Sequence, residues 1–138
     1  MSNIATPKLK EVVRRLLAHD AVSRKPANAN DFGGYRVCEK LNGPARKLIG
    51  VGAFHSLMSR ALALASAEVP SLRALQVMPD GSLGGVDELA RKLDSHGLAE
   101  GEVVLVSYLL GLLVTFLGAG LTLPMLRDLW PKIDDLDL

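Results

Sequence analysis

Between Glu102 and Arg127 the chain runs for 24 residues, Val103 to Leu126, without a formal charge. A segment this apolar has two physical fates. It can cross a bilayer, which takes about 20 apolar residues, or it can fill the middle of a helical bundle, where every side of the helix is covered. Gly118, Gly120 and Pro124 interrupt the segment, so the longest uninterrupted helix it suggests is Val103 to Leu117. At about 1.5 Å per residue that helix spans roughly 22 Å, less than an apolar layer of about 30 Å, and a buried central helix is favoured over a membrane span. Ser107, Gly111 and Gly118 form a row of small residues in it, and Ala61 and Ala65 offer a similarly small surface elsewhere. Such rows let helices approach closely in water and in lipid alike, so they do not separate the two readings.

The rest of the chain also reads as helix. Leu and Ala dominate the apolar residues and aromatics are only 4%, which favours helix because these side chains lose little freedom there. Thr6 followed by Pro7 is a helix start, and Leu9, Val12, Val13, Leu16 and Leu17 repeat at helical spacing, predicting a first amphipathic helix over about Pro7 to His19. Ser23 to Gly34 has the Pro, Asn, Asp and Gly content of a loop. Tyr35, Val37, Cys38 and Leu41 suggest a short second helix, ended or kinked by Asn42, Gly43 and Pro44 before Ala45 to Ile49 resumes the pattern. Gly50-Val51-Gly52 lacks the strand and third glycine of a dinucleotide fingerprint and reads as a break between helices. A third helix runs from Ala53 to Glu68 and stops at Val69-Pro70.

Leu75 to Met78, Pro79-Asp80-Gly81-Ser82 and Leu83 to Val86 then read as a short β-hairpin. A helix over Val86 to Leu93 should end at Ser95-His96-Gly97, with Glu100 and Glu102 placed for the N-terminus of the apolar helix. Thr122 can cap a last helix reaching about Trp130, and the acidic tail, residues 132–138, is expected to fray.

The whole is one domain of 138 residues, a mainly α bundle of five or six helices with one hairpin, built round Ala53 to Glu68 and Val103 to Leu117. Leu57, Leu62, Leu105, Leu109, Leu112 and Phe116 are the expected core.

Chemistry is sparse. Cys38 is the only cysteine, which rules out an intramolecular disulfide and a four-thiolate zinc site, and a buried thiol is a better reading than a modifiable one. His19, His55 and His96 belong to no metal-binding signature. His55 and Ser59 share a helix face at i and i+4, but a serine nucleophile also needs an oriented base and an oxyanion hole, and a structural histidine is the stronger reading. No catalytic, cofactor-binding or metal-binding residue is expected. The N-terminal stretch alternates charged and apolar residues and does not have the apolar run of a secretory signal, so the expected location is cytoplasmic.

Charge is uneven. Residues 1–60 hold eleven Lys or Arg against four Asp or Glu, net +7, and residues 61–138 hold five against eleven, net −6. Neutralisation within the fold or across a dimer interface is the favoured account. A basic surface of Lys8, Lys10, Arg14, Arg15, Arg24 and Lys25 for nucleic acid or anionic lipid is the sharper alternative, weakened for nucleic acid by the scarcity of aromatics for stacking.

The stretches FHSLMSRALALASAEVPSL (Phe54 to Leu72) and GLLVTFLGAGLTLPMLRDLWPKIDDLDL (Gly111 to Leu138) are similar to small bacterial proteins of no established function. That resemblance covers about a third of the chain, implies one soluble domain and transfers no site residue. A chain rich in packing surface and poor in chemistry is expected to be a non-enzymatic interaction or regulatory module, a homo-oligomer partnered by itself or another protein. Two alternatives stand beside it. One is membrane association through Val103 to Leu126 or the basic first helix. The other is a small-molecule binder or enzyme with an apolar pocket between helices, for which His55, Tyr35 or Asp31 would have to converge in a cleft.

Overall fold

In the computed structural model, which describes residues 6–23 and 33–131, the chain forms helices α1 (Pro7–Ser23), α2 (Gly33–Ile49), α3 (Val51–Glu68), α4 (Val86–Lys92), α5 (Ser95–Leu117) and α6 (Ala119–Leu129). A 3₁₀ turn, Pro70–Ala74, and a two-stranded hairpin, β1 (Gln76–Val77) and β2 (Leu83–Gly84), separate α3 from α4. The mainly α architecture with a small hairpin is the one the periodicity predicts.

The apolar helix is the hub. α5 packs against α1, α2, α3 and α6, and its most extensive partner is α3. Small residues are buried on both: Ala61 and Ala65 fully on α3, and Ser107 and Gly111 on α5. Leu105, Leu109, Leu110 and Leu113 of α5 have no exposed surface and belong to the same core. Of the expected small-residue row, Ser107 and Gly111 are buried within α5, and Gly118 lies beyond the helix at a left-handed φ of 87° and separates α5 from α6.

The length argument against a membrane span requires correction. α5 begins at Ser95, eight residues before Val103, because Asp94 caps it by accepting from the Gly97 N–H at 2.7 Å. Ser95-His96-Gly97 thus opens a helix where the sequence reading has it closing one. The 23-residue helix is long and apolar enough to cross a membrane, and two thirds of its most apolar window, mean hydropathy 1.8, is buried inside the fold.

Other boundaries differ for local reasons. Thr6 caps α1 as expected, its Oγ1 accepting from the Leu9 N–H at 3.2 Å, but the helix continues past His19 to Ser23. α2 is one helix, not two: Pro44 lies within it, forfeiting one backbone bond while Val37, Leu41 and Ala45 hold the segment down on the core. Thr122 sits inside α6 and does not cap it; its Oγ1 donates to the Gly118 carbonyl at 2.9 Å and lies 3.4 Å from that of Leu113. The loop expected over Ser23 to Gly34 and the acidic tail fall almost wholly outside the described residues.

The hairpin is closed by a turn in which Gly81 N–H donates to the Met78 carbonyl, Met78 N–H to that of Ser82, and Asp80 Oδ1 accepts from both Ser82 groups. Those hydrogen bonds hold the Asp80 carboxyl below its usual range. Gly81 has a φ of 87° and lies against Phe54, where an added Cβ would meet the ring at 2.6 Å, so the turn can seat on α3 only with glycine there.

Of the expected core, Leu105, Leu109 and Leu112 are buried and Leu57 and Leu62 half-buried. Phe116 is 58% exposed. It extends the stripe of Leu105, Leu109 and Leu112 by one more turn, but among the described residues no other element covers its side chain.

Candidate functional site

The expected chemistry is dispersed. His19 is on α1, His55 on α3 and His96 at the start of α5, and among the described residues no group of three His, Cys, Asp or Glu could hold a metal ion. Cys38 is buried, as expected; desolvation first, then the charges of Glu39 and Glu102, push its thiol pKa up to about 12. A thiol so placed is inert at neutral pH. The convergence of His55, Tyr35 and Asp31 lies partly outside the described residues, although His55 does line a groove.

The basic first helix is partly neutralised. Lys10 Nζ lies 3.5 Å from Glu68 at the end of α3, and Arg14 is 3.9 Å from Glu11. Glu68 also sits beside Tyr108: as acceptor for the phenol, and with some desolvation, it raises the Tyr108 pKa to about 12. Arg24 and Lys25 are outside the described residues.

Three features remain, of which the sequence singled out only the His55–Ser59 face in the third. The first is a buried ionic cluster. Asp20, at 1% exposure, accepts from Lys40 Nζ at 2.5 Å and, at a long 3.4 Å, from the Trp130 indole N–H, while the Lys40 ammonium lies 5.5 Å from the centre of the Trp130 ring. One carboxylate thus ties the end of α1, the middle of α2 and the cap of α6. Asp20 Oδ2 has no partner among the described residues, so the cation on Oδ1 carries most of the compensation for burying the charge.

The second feature is an apolar groove of about 370 Å³ between the C-terminal part of α2 and α6, lined mainly by Leu48, Leu121, Pro124, Met125 and Leu129. Leu48 and Leu121 are each 52% exposed. Leu48 continues the α2 stripe of Val37, Leu41 and Ala45, but the helix there has outrun its cover. Lys47 stands on the α2 wall and Asp128 on the α6 wall, and among the described residues neither has an ion-pair partner.

The third is a wider groove of about 560 Å³ on the side of α3 away from the core, bounded by the 3₁₀ turn and β1. His55, Ser59, Ala63, Ser66 and Ala67 recur at helical spacing along its floor, so the expected His55–Ser59 face exists, without any carboxylate in the lining to orient the imidazole.

Comparison of the chain with models of protein families, with curated proteins and with solved structures finds no match.

Proposed function

We propose that this protein is a non-enzymatic interaction module whose partner is a second copy of itself, docked through the α2–α6 groove. The observation that supports this reading is the groove's composition: exposed Leu48 and Leu121 flanked by one cation and one anion on opposite walls. A two-fold axis through such a groove brings Lys47 of each copy to Asp128 of the other, so the same patch complements itself in shape and in charge. The apolar centre supplies the driving force and the paired charges set the register.

Size-exclusion chromatography with light scattering at low and high salt tests the proposal. A dimer is expected at both, because burial of Leu48 and Leu121 is insensitive to screening. Lys47→Glu is expected to weaken the dimer by placing like charges opposite each other, and Lys47→Glu combined with Asp128→Lys to restore it. A monomer at all concentrations, or a dimer indifferent to both variants, would overturn the reading. Recovery of the untagged protein only in the membrane fraction would instead favour the α5 span, the alternative that its length and hydropathy keep open.

A further inference from the structure

The groove over α3 differs in chemistry from the α2–α6 groove and calls for a different occupant. Its floor is low because the groove-lining face of α3 carries Ser59, Ala63, Ser66 and Ala67 where larger residues would fill the space. Its far wall is raised by the 3₁₀ turn and β1, which set Arg73 and Gln76 opposite His55 and Ser59. Leu62, Leu75 and Val77 supply apolar surface. The resulting volume, about 560 Å³, lies in the range of sites for small organic ligands, roughly 300 to 1,000 Å³.

Two observations indicate what such a ligand would carry. No carboxylate lines the groove, and among the described residues Arg73 has no ion-pair partner, so its guanidinium is the one permanent charge in the lining. Ser66 is 7% exposed, and its side chain makes no hydrogen bond among the described residues. That hydroxyl keeps contact with solvent in the groove, so it is a further hydrogen-bonding group open to a polar ligand.

We infer that this groove binds a small amphiphilic carboxylate, its head group paired with Arg73 and its apolar body laid along Leu62, Ala63 and Leu75. A guanidinium presents a planar fork that matches a carboxylate bidentately, and a single fixed cation matches a single negative charge better than a phosphate dianion. His55, Ser59 and Gln76 add hydrogen-bonding groups around the head. The site needs no second copy of the chain and is independent of the α2–α6 groove.

Titration of the isotope-labelled full chain with octanoate, octanol and octylammonium, followed by amide chemical shifts, tests the assignment. Octanoate is expected to shift Ser59, Ala63, Arg73 and Gln76 with a Kd below about 1 mM, and octanol to bind at least about tenfold more weakly. Octylammonium should leave these amides unmoved. Arg73→Gln, a change at an exposed position, should weaken octanoate about tenfold or more. Ala63→Phe, which fills the trough from an exposed helix position, should abolish binding while leaving the thermal melt unchanged. Equal affinity for octanol and octanoate, shifts confined to Leu48 and Leu121, or no shift up to about 10 mM would each overturn the proposal.

Discussion

The α3–α5 seam and the α2–α6 groove are both meetings of two apolar helix faces, yet one is sealed and the other stands open. At the seam, Ala61 and Ala65 of α3 and Leu105, Leu109, Leu110 and Leu113 of α5 have no exposed surface. At the groove, each helix carries an internal proline, Pro44 or Pro124, and the large side chains of Leu48 and Leu121 stand half exposed along the walls. The far end of the groove is pinned by Asp20, Lys40 and Trp130, so α6 is held on the bundle without closing along its whole length. Side-chain size, and whether another element is there to cover the stripe, decides which becomes core and which remains surface.

The comparison breaks first at the seam. Ala65→Leu inserts three carbons where the side chain is fully buried, and calorimetry or denaturant unfolding should show a loss of about 3 kcal/mol, the upper end of overpacking costs. Conservation of stability would mean that the seam is looser than the structure has it.

The pin at the other end comes next. Lys40→Met leaves Asp20 buried without its cation, and a loss of about 2–3 kcal/mol is expected, somewhat under the usual 3–5 because Lys40 is still 37% exposed. Replacing Asp20 by Leu in the same chain should recover most of it; a double variant no more stable than the single one would show that the charge pair, not merely the filled volume, is required.

A smaller effect distinguishes buried from exposed chemistry by pH. The Cys38 thiol is held near 12 in the folded chain against an ordinary value of 9.0, so the folded state retains a proton that the unfolded chain releases. Its stabilising contribution is complete below about pH 9 and is lost as pH rises from there towards 12, at about 1.4 kcal/mol per pH unit. Comparing Cys38→Ala with the parent across pH 8 to 10.5 should show the parent losing its relative stability. Parallel curves would contradict the burial.

The smallest expected change is at the open groove. Leu48→Ser should alter monomer stability by no more than about 0.5 kcal/mol, since half of the side chain already faces solvent, while weakening self-association. A loss comparable with that of Ala65→Leu would make the groove part of the core.

Much of this molecule was legible in its residues. The period of Leu9, Val12, Val13 and Leu16 marks α1, Thr6 its cap, and Pro79-Asp80-Gly81-Ser82 the hairpin turn, because each depends on neighbours within a few positions. The small residues buried on α3 and on α5 were visible as well. Phe116 and Leu48 were not, although both continue an apolar stripe: periodicity tells which way a side chain points, not where the covering element stops. Ser95-His96-Gly97 looked like a helix end because glycine often follows one, and the deciding group was the carboxylate of Asp94, which caps the helix that starts there.

The grooves and the ionic cluster belong to a different order of information. Asp20 and Trp130 are 110 residues apart, and Arg73 reaches the same groove as His55 only because the 3₁₀ turn and hairpin fold back along α3. The sequence by itself determined the helical class, most of the element order and the small-residue faces, since these follow from local sterics and from the 3.6-residue period. Which apolar stripes are covered, which charges are buried together and where the surface stays concave were decided by the tertiary structure alone, because burial is a property of what packs against a side chain.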